Sequence, residues 1–195
     1  MNKSRVDFNF IDRDDNDPVG YKTIICHLIF DAKMNITRKA RYVAGGHLTD
    51  PPLYMTYAIM ISRDSVLLDF LITVLNDIGI LVGKIQNAYL NAPTKEKVFF
   101  YGGDEWKSDQ VKVFVVVLRF LYGLKYCALA YRNYLSEVLG NSIMLQWSLY
   151  DTKIWFKAAT DESGNKYYTY ILFYVDDFII VYKDPRKYMA MLESE

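Results

Sequence analysis

The stretch YILFYVDDFIIVY, residues 170–182, sets two adjacent carboxylates, Asp176 and Asp177, between two apolar runs that each read as a buried β-strand. Strand formers this dense, YILFYV and FIIVY, joined through only two polar residues, predict a tight antiparallel hairpin with Asp176 and Asp177 as its link. Along a straight strand neighbouring side chains diverge, but at a hairpin apex both carboxylates can lie on one side and share a cation. Burying a carboxylate without a partner costs on the order of several kcal/mol. The pair therefore calls for a positive charge, and two hard oxygen ligands suit Mg²⁺. An acidic hairpin with no special chemistry is the plain alternative, although tight hairpin links favour Asn-Gly or Asp-Gly over Asp-Asp.

Working outward, KIWFKAA and KYYTYILFYV flank an ESGNK turn and predict a second hairpin sharing the same central strand. Upstream, YKTIICHLIF and TRKARYVAG read as a further antiparallel hairpin, in which period two puts Lys39, Arg41 and Val43 on one face. SRDSVLLDFLITVLND carries Val66, Leu67, Phe70, Leu71, Val74 and Leu75 at helical spacing, with Ser62 as N-cap and Asp64 in the first turn. ILVGKI reads as a buried strand, QNAYLNAP leads into a turn at Pro93, and VKVFVVVL is another strand. LYGLKY is a glycine-containing junction, followed by the amphipathic helix ALAYRNYLSEVLG. This order, ββ, α, β, β, α, β, β, β, lacks the strict alternation of a doubly wound fold. It predicts an α+β class with helices packed on one face of a mainly antiparallel sheet.

The 195 residues are enough for one sizeable core, and 52% hydrophobic with 24% charged residues is the make-up of a folded domain. Twenty-three basic and 23 acidic residues cancel, so net charge favours no partner. Its distribution is more informative. Lys33, Arg38, Lys39 and Arg41 lie between Asp31 and Asp50 without an acid, and Lys112, Arg119, Lys125 and Arg132 are interleaved with Phe114, Phe120, Tyr122, Tyr126, Tyr131 and Tyr134. Cations mixed with aromatic rings are the composition of a phosphate-and-base contact surface, or else of two solvated faces. Cys26 and Cys127 have no metal-ligand or disulfide spacing and read as reduced thiols. The amino-terminal segment has no apolar core of a signal peptide and no run reaches membrane-span length, which points to an intracellular protein, cytoplasmic or nuclear.

KARYVAGGH (39–47), IQNAYLNAP (85–93), LYGLK (121–125) and YVDD (174–177) occur in the order and at about the spacings of the copia-type retrotransposon reverse transcriptase. The chain resembles that family from about Pro18 to its end. The resemblance implies fingers and palm without a thumb: a polar tail over 1–17, a fingers-like region over 18–78, and a palm-like region over 79–195 with a fingers-like insertion near 93–118. It implies an RNA-directed DNA polymerase whose partners are an RNA or DNA primer–template and deoxynucleotides, with no membrane. Asp176 and Asp177 match the palm ligands of Mg²⁺. Lys39 and Arg41 resemble the cations that hold the incoming triphosphate, Tyr89 the steric gate beneath the sugar, and Gly123 and Lys125 the segment against the template–nucleotide pair.

Where the family carries its third metal carboxylate, five residues ahead of the gate tyrosine, this chain has Lys84. An ammonium is the opposite of a metal ligand, so the resemblance and the departure together imply a polymerase that is inactive as written. Lys84 is expected to reach Asp176 and Asp177 and to fill the cation position itself. Two other readings stay open: a nucleic-acid-binding remnant without chemistry, and an inert folded fragment.

Overall fold

In the computed structural model the described residues are 8–11, 19–32, 34–49, 61–102 and 114–193. Along them run β1 (Phe8–Ile11), β2 (Lys22–Thr23), β3 (Cys26–Ala32), β4 (Arg38–Ala44), α1 (Arg63–Leu75), β5 (Gly79–Lys84), α2 (Ala88–Asn91), β6 (Val98–Tyr101) and β7 (Phe114–Val117). Then follow α3 (Cys127–Glu137), β8 (Gln146–Trp147), β9 (Ile154–Thr160), β10 (Lys166–Tyr174), β11 (Asp177–Tyr182) and α4 (Pro185–Glu193). The fold is mixed α+β with mainly antiparallel sheets, and only β2 with β6 pairs in parallel among the described strands. The chain divides into two compact units, Met1–Tyr57 with Tyr89–Tyr131, and Ala58–Ala88 with Arg132–Glu195.

The first unit holds a four-stranded sheet in the order β1-β7-β6-β2 and the β3-β4 hairpin. Every residue of β7 is buried, as are Val98, Phe99 and Phe100 of β6. The sequence reading passes over VFFY as a strand. It also places Phe8–Ile11 in a polar tail, whereas those four residues pair antiparallel with β7, from Phe8 opposite Val117 to Ile11 opposite Phe114. The rest of 1–17 lies outside the described residues. The Phe8 ring meets Phe100 edge-on at 6.1 Å, contact enough to hold a short strand at a sheet edge.

The second unit is built on a five-stranded sheet in the order β5-β11-β10-β9-β8. β10 and β11 form the antiparallel hairpin that the opening stretch predicts, pairing from Tyr170 opposite Val181 to Tyr174 opposite Asp177. Asp161 closes the neighbouring β9–β10 hairpin, accepting from the backbone N–H groups of Ser163 and Asn165 and from the Lys183 ammonium at 2.8 Å. On one face Ile171, Phe173, Phe178 and Ile180 pack with Leu139, Trp155 and Tyr188 of α4. On the other, Ile154, Phe156, Tyr168 and Tyr170 meet Leu68, Asp69 and Ile72 of α1.

Helices therefore cover both faces of this sheet, not one. The physical reason is in the strands: Ile171, Leu172 and Phe173 are all buried, as are Ile180 and Val181, and consecutive apolar residues point to opposite faces. β5 is a correction too. Read as a buried strand, it is the edge of the sheet, with Val82 67% exposed. Gly83 sits beneath the buried Phe178 ring, where a Cβ would collide with it.

Helix α1 starts where the cap predicts. Ser62 Oγ accepts from the Ser65 N–H at 2.9 Å. Its buried face is not the apolar one, however. Leu67, Phe70, Leu71, Val74 and Leu75 are exposed, and the buried residues are Asp69 and Thr73. No helix among the described residues is long and apolar enough to cross a membrane.

Candidate functional site

The β10–β11 link is shifted by one residue from the sequence reading. Tyr174 pairs with Asp177, so the two link residues are Val175 and Asp176, and Asp177 begins β11. Val175 has φ 60°, a left-handed conformation that favours glycine and is costly for a β-branched side chain. Strain of this kind concentrates at functional sites.

Asp177 stands opposite Lys84 in the antiparallel β11–β5 register, and the Ile85 N–H donates to the Asp176 carbonyl at 2.7 Å. That register aims the Lys84 side chain at the hairpin apex. The ammonium lies 2.6 Å from Asp176 Oδ2 and 2.9 Å from Asp177 Oδ1, so one cation bridges both carboxylates. Hydrogen bonds to Asp176 first and to Asp177 next raise the Lys84 pKa above its ordinary value. Asp77 lies beyond the opposite end of β5, in the turn that follows α1, and does not join the cluster.

The Mg²⁺ that the resemblance implies does not fit these residues. A cation shared by Asp176 and Asp177 would have to stand where the Lys84 ammonium stands, against its like charge. Among the described residues no group of three or more His, Cys, Asp or Glu side chains converges to hold a metal ion.

The remaining sequence-selected residues lie in the first unit. Lys39 and Arg41 are half-buried on β4, opposite Asp31 and Ile29. Tyr42, on the other face of that strand, packs on Phe100 at 5.2 Å. Tyr89 on α2 is half-buried, with its ring 5.0 Å from Tyr122 and 5.8 Å from Tyr131. Gly123 has φ 96°, and a Cβ there would run into the Ala44 carbonyl, while one on Gly46 would run into the Gly123 carbonyl. LYGLK and the turn after β4 thus interlock backbone to backbone, tied by the Ala44 N–H donating to the Tyr122 carbonyl at 2.7 Å. Lys125 donates to the Thr49 carbonyl at 2.7 Å.

The second basic set is largely engaged within the protein. Arg119 donates to the Asn91 carbonyl and Arg132 to Thr152 Oγ1, while Lys112 lies outside the described residues, as does Lys33 of the first set. One residue that sequence reasoning passes over is Asp69. Its only sequence signal is a carboxylate at the centre of the polar side of a strongly apolar helix, which ordinarily marks a solvated face. No family model matches the chain, and no curated protein matches it.

Proposed function

We propose that this chain is the fingers and palm of a copia-type reverse transcriptase relative in which a lysine has replaced the catalytic metal, leaving a fold without polymerase chemistry. The observation that carries the reading is the Lys84 ammonium, 2.6 Å and 2.9 Å from the two carboxylates of the YVDD hairpin. Supporting it are four motifs in family order, and a glycine in LYGLK whose backbone conformation admits no side chain. In this reading the first unit is the fingers-like part, presenting Lys39 and Arg41 on one strand face, and the second is the palm. Contact with an RNA or DNA primer–template is electrostatic and weakens with salt, as phosphate contacts do. Deoxynucleotide addition does not follow, because the ammonium neutralises the carboxylates that would otherwise bind a divalent ion.

The test combines primer extension with Mn²⁺ titration followed by NMR. The protein is expected to extend no primer in Mg²⁺ or Mn²⁺, and Mn²⁺ is expected not to broaden resonances around Asp176 selectively. Lys84→Asp is expected to gain that selective broadening at least tenfold more steeply with Mn²⁺. Magnesium-dependent extension by the unsubstituted protein would overturn the proposal, and so would equal Mn²⁺ broadening in the two proteins.

A further inference from the structure

Between α1 and strands β9 and β10 lies a cavity of about 290 Å³ whose lining includes Leu68, Asp69, Ile72, Phe156, Tyr168 and Tyr170. It lies within the second unit and takes no part in the Lys84 cluster. Asp69 is 4% exposed, and its Oδ2 has no hydrogen-bond partner among the described residues. The neighbouring hydroxyls on and before α1 have partners. Thr73 Oγ1 donates to the Asp69 carbonyl at 2.7 Å, Ser65 Oγ donates to Asp151 Oδ2 at 2.8 Å, and Ser62 caps the helix. Asp69 lines the cavity, and its Oδ2 is left buried without a donor. Burial raises its pKa to about 6, and Tyr170 beside it is raised by burial and by the nearby Asp69 charge.

A buried carboxylate without a donor is costly, and here aromatic rings lie beside it. Phe156 meets Tyr168 edge-on at 6.0 Å, and Tyr168 lies 6.5 Å from Tyr170. Aromatic faces attract an ammonium, and a carboxylate accepts its proton in a hydrogen bond. Leu68, Ile72 and Ile154 supply an apolar wall for the rest of a ligand. Anions are repelled, and a purely apolar ligand would leave Oδ2 unpaired. A metal ion finds one carboxylate where it needs several oxygens. The volume is at the small end for ligand sites, which selects a compact molecule over a polyamine chain.

We propose that this cavity binds a small amphipathic amine, its ammonium donating to the Asp69 carboxylate beside the Tyr168 and Tyr170 rings and its apolar body against Leu68, Ile72, Ile154 and Phe156. The probe is phenethylamine, titrated at neutral pH into the full chain and followed by NMR, with 2-phenylethanol as the neutral counterpart of the same shape. Phenethylamine is expected to saturate with a millimolar or tighter dissociation constant and to shift α1 and β10 resonances. The alcohol, and phenethylamine with Asp69→Asn, are each expected to bind at least roughly tenfold more weakly. Asp69→Asn removes a buried charge without changing shape, and its denaturant midpoint checks that the fold persists. Equal binding of the alcohol, unchanged binding to Asp69→Asn, or no saturable shift from phenethylamine would each overturn the proposal.

Discussion

Lys84 and Asp69 show how the same class of interaction takes its weight from exposure. Two unit charges at about 4 Å attract by roughly 4 kcal/mol at the effective dielectric of a protein surface, before desolvation. Lys84 and Asp177 are both more than half exposed, so solvent screening brings the measurable contribution down to about 1 kcal/mol or less. The Lys84 bridge therefore contributes little to holding the fold. Asp69 is the reverse case, a single charge kept from water. Its folded pKa, about 6, lies above the ordinary carboxylate value of 3.8, so the native state binds the proton more tightly than the unfolded chain. Stability from this group is present in full below about pH 4 and is lost as pH rises through about 6. Two pKa units correspond to roughly 3 kcal/mol. Asp69→Asn is expected to leave stability unchanged in acid and to raise it by about 2 to 3 kcal/mol at neutral pH, read from urea unfolding at the two pH values. An Asp69→Asn protein no more stable than the parent at neutral pH would show that the carboxylate has found a partner.

At the scale of the element, the β10–β11 hairpin carries its own conflict. Its strands pair from Tyr170 to Asp177, yet the link puts Val175 at φ 60° with Asp176 on the ordinary side of φ. That is the pattern of a link whose first residue is best a glycine. A side chain in the left-handed region costs about 1 to 2 kcal/mol, partly offset for glycine by its larger unfolded entropy. Val175→Gly is therefore expected to stabilise the protein by about 1 kcal/mol, measured as a shift in denaturant midpoint at constant slope. Helix α1 presents a different conflict. Its cap, first-turn acid and apolar spacing are all legible in the residues, and its start follows from them. Its orientation does not, since the apolar stripe is exposed and the Asp69 and Thr73 side faces the sheet. Periodicity gives the phase of a stripe around the helix axis; which phase meets the sheet depends on the partner surface.

Across the whole molecule, each unit draws on distant parts of the chain, and two cysteines report on one of them. Cys26 and Cys127 are free and half-buried in the first unit, as their spacing predicts, and burial pushes their pKa values to about 12 and about 11. The nucleophile is the thiolate, so both are expected to react with iodoacetamide about a hundredfold or more slowly in the native protein than in urea, both rates being measured at neutral pH. Rapid native alkylation of either would place it at the surface. The residues alone determine the β10–β11 hairpin, the β9–β10 turn, the start of α1 and the pairing of β3 with β4, because period, turn chemistry and capping act over a few neighbours. The expectation that Lys84, Asp176 and Asp177 belong together comes instead from the resemblance of the four motifs to the copia-type family. Only the tertiary structure decides that Asp177 lies opposite Lys84 and that the ammonium reaches both carboxylates. It alone turns the Asp69 side of α1 inward and adds Phe8–Ile11 to a sheet. Those outcomes are set by long-range register and by competition between faces for the same core, which no local pattern encodes.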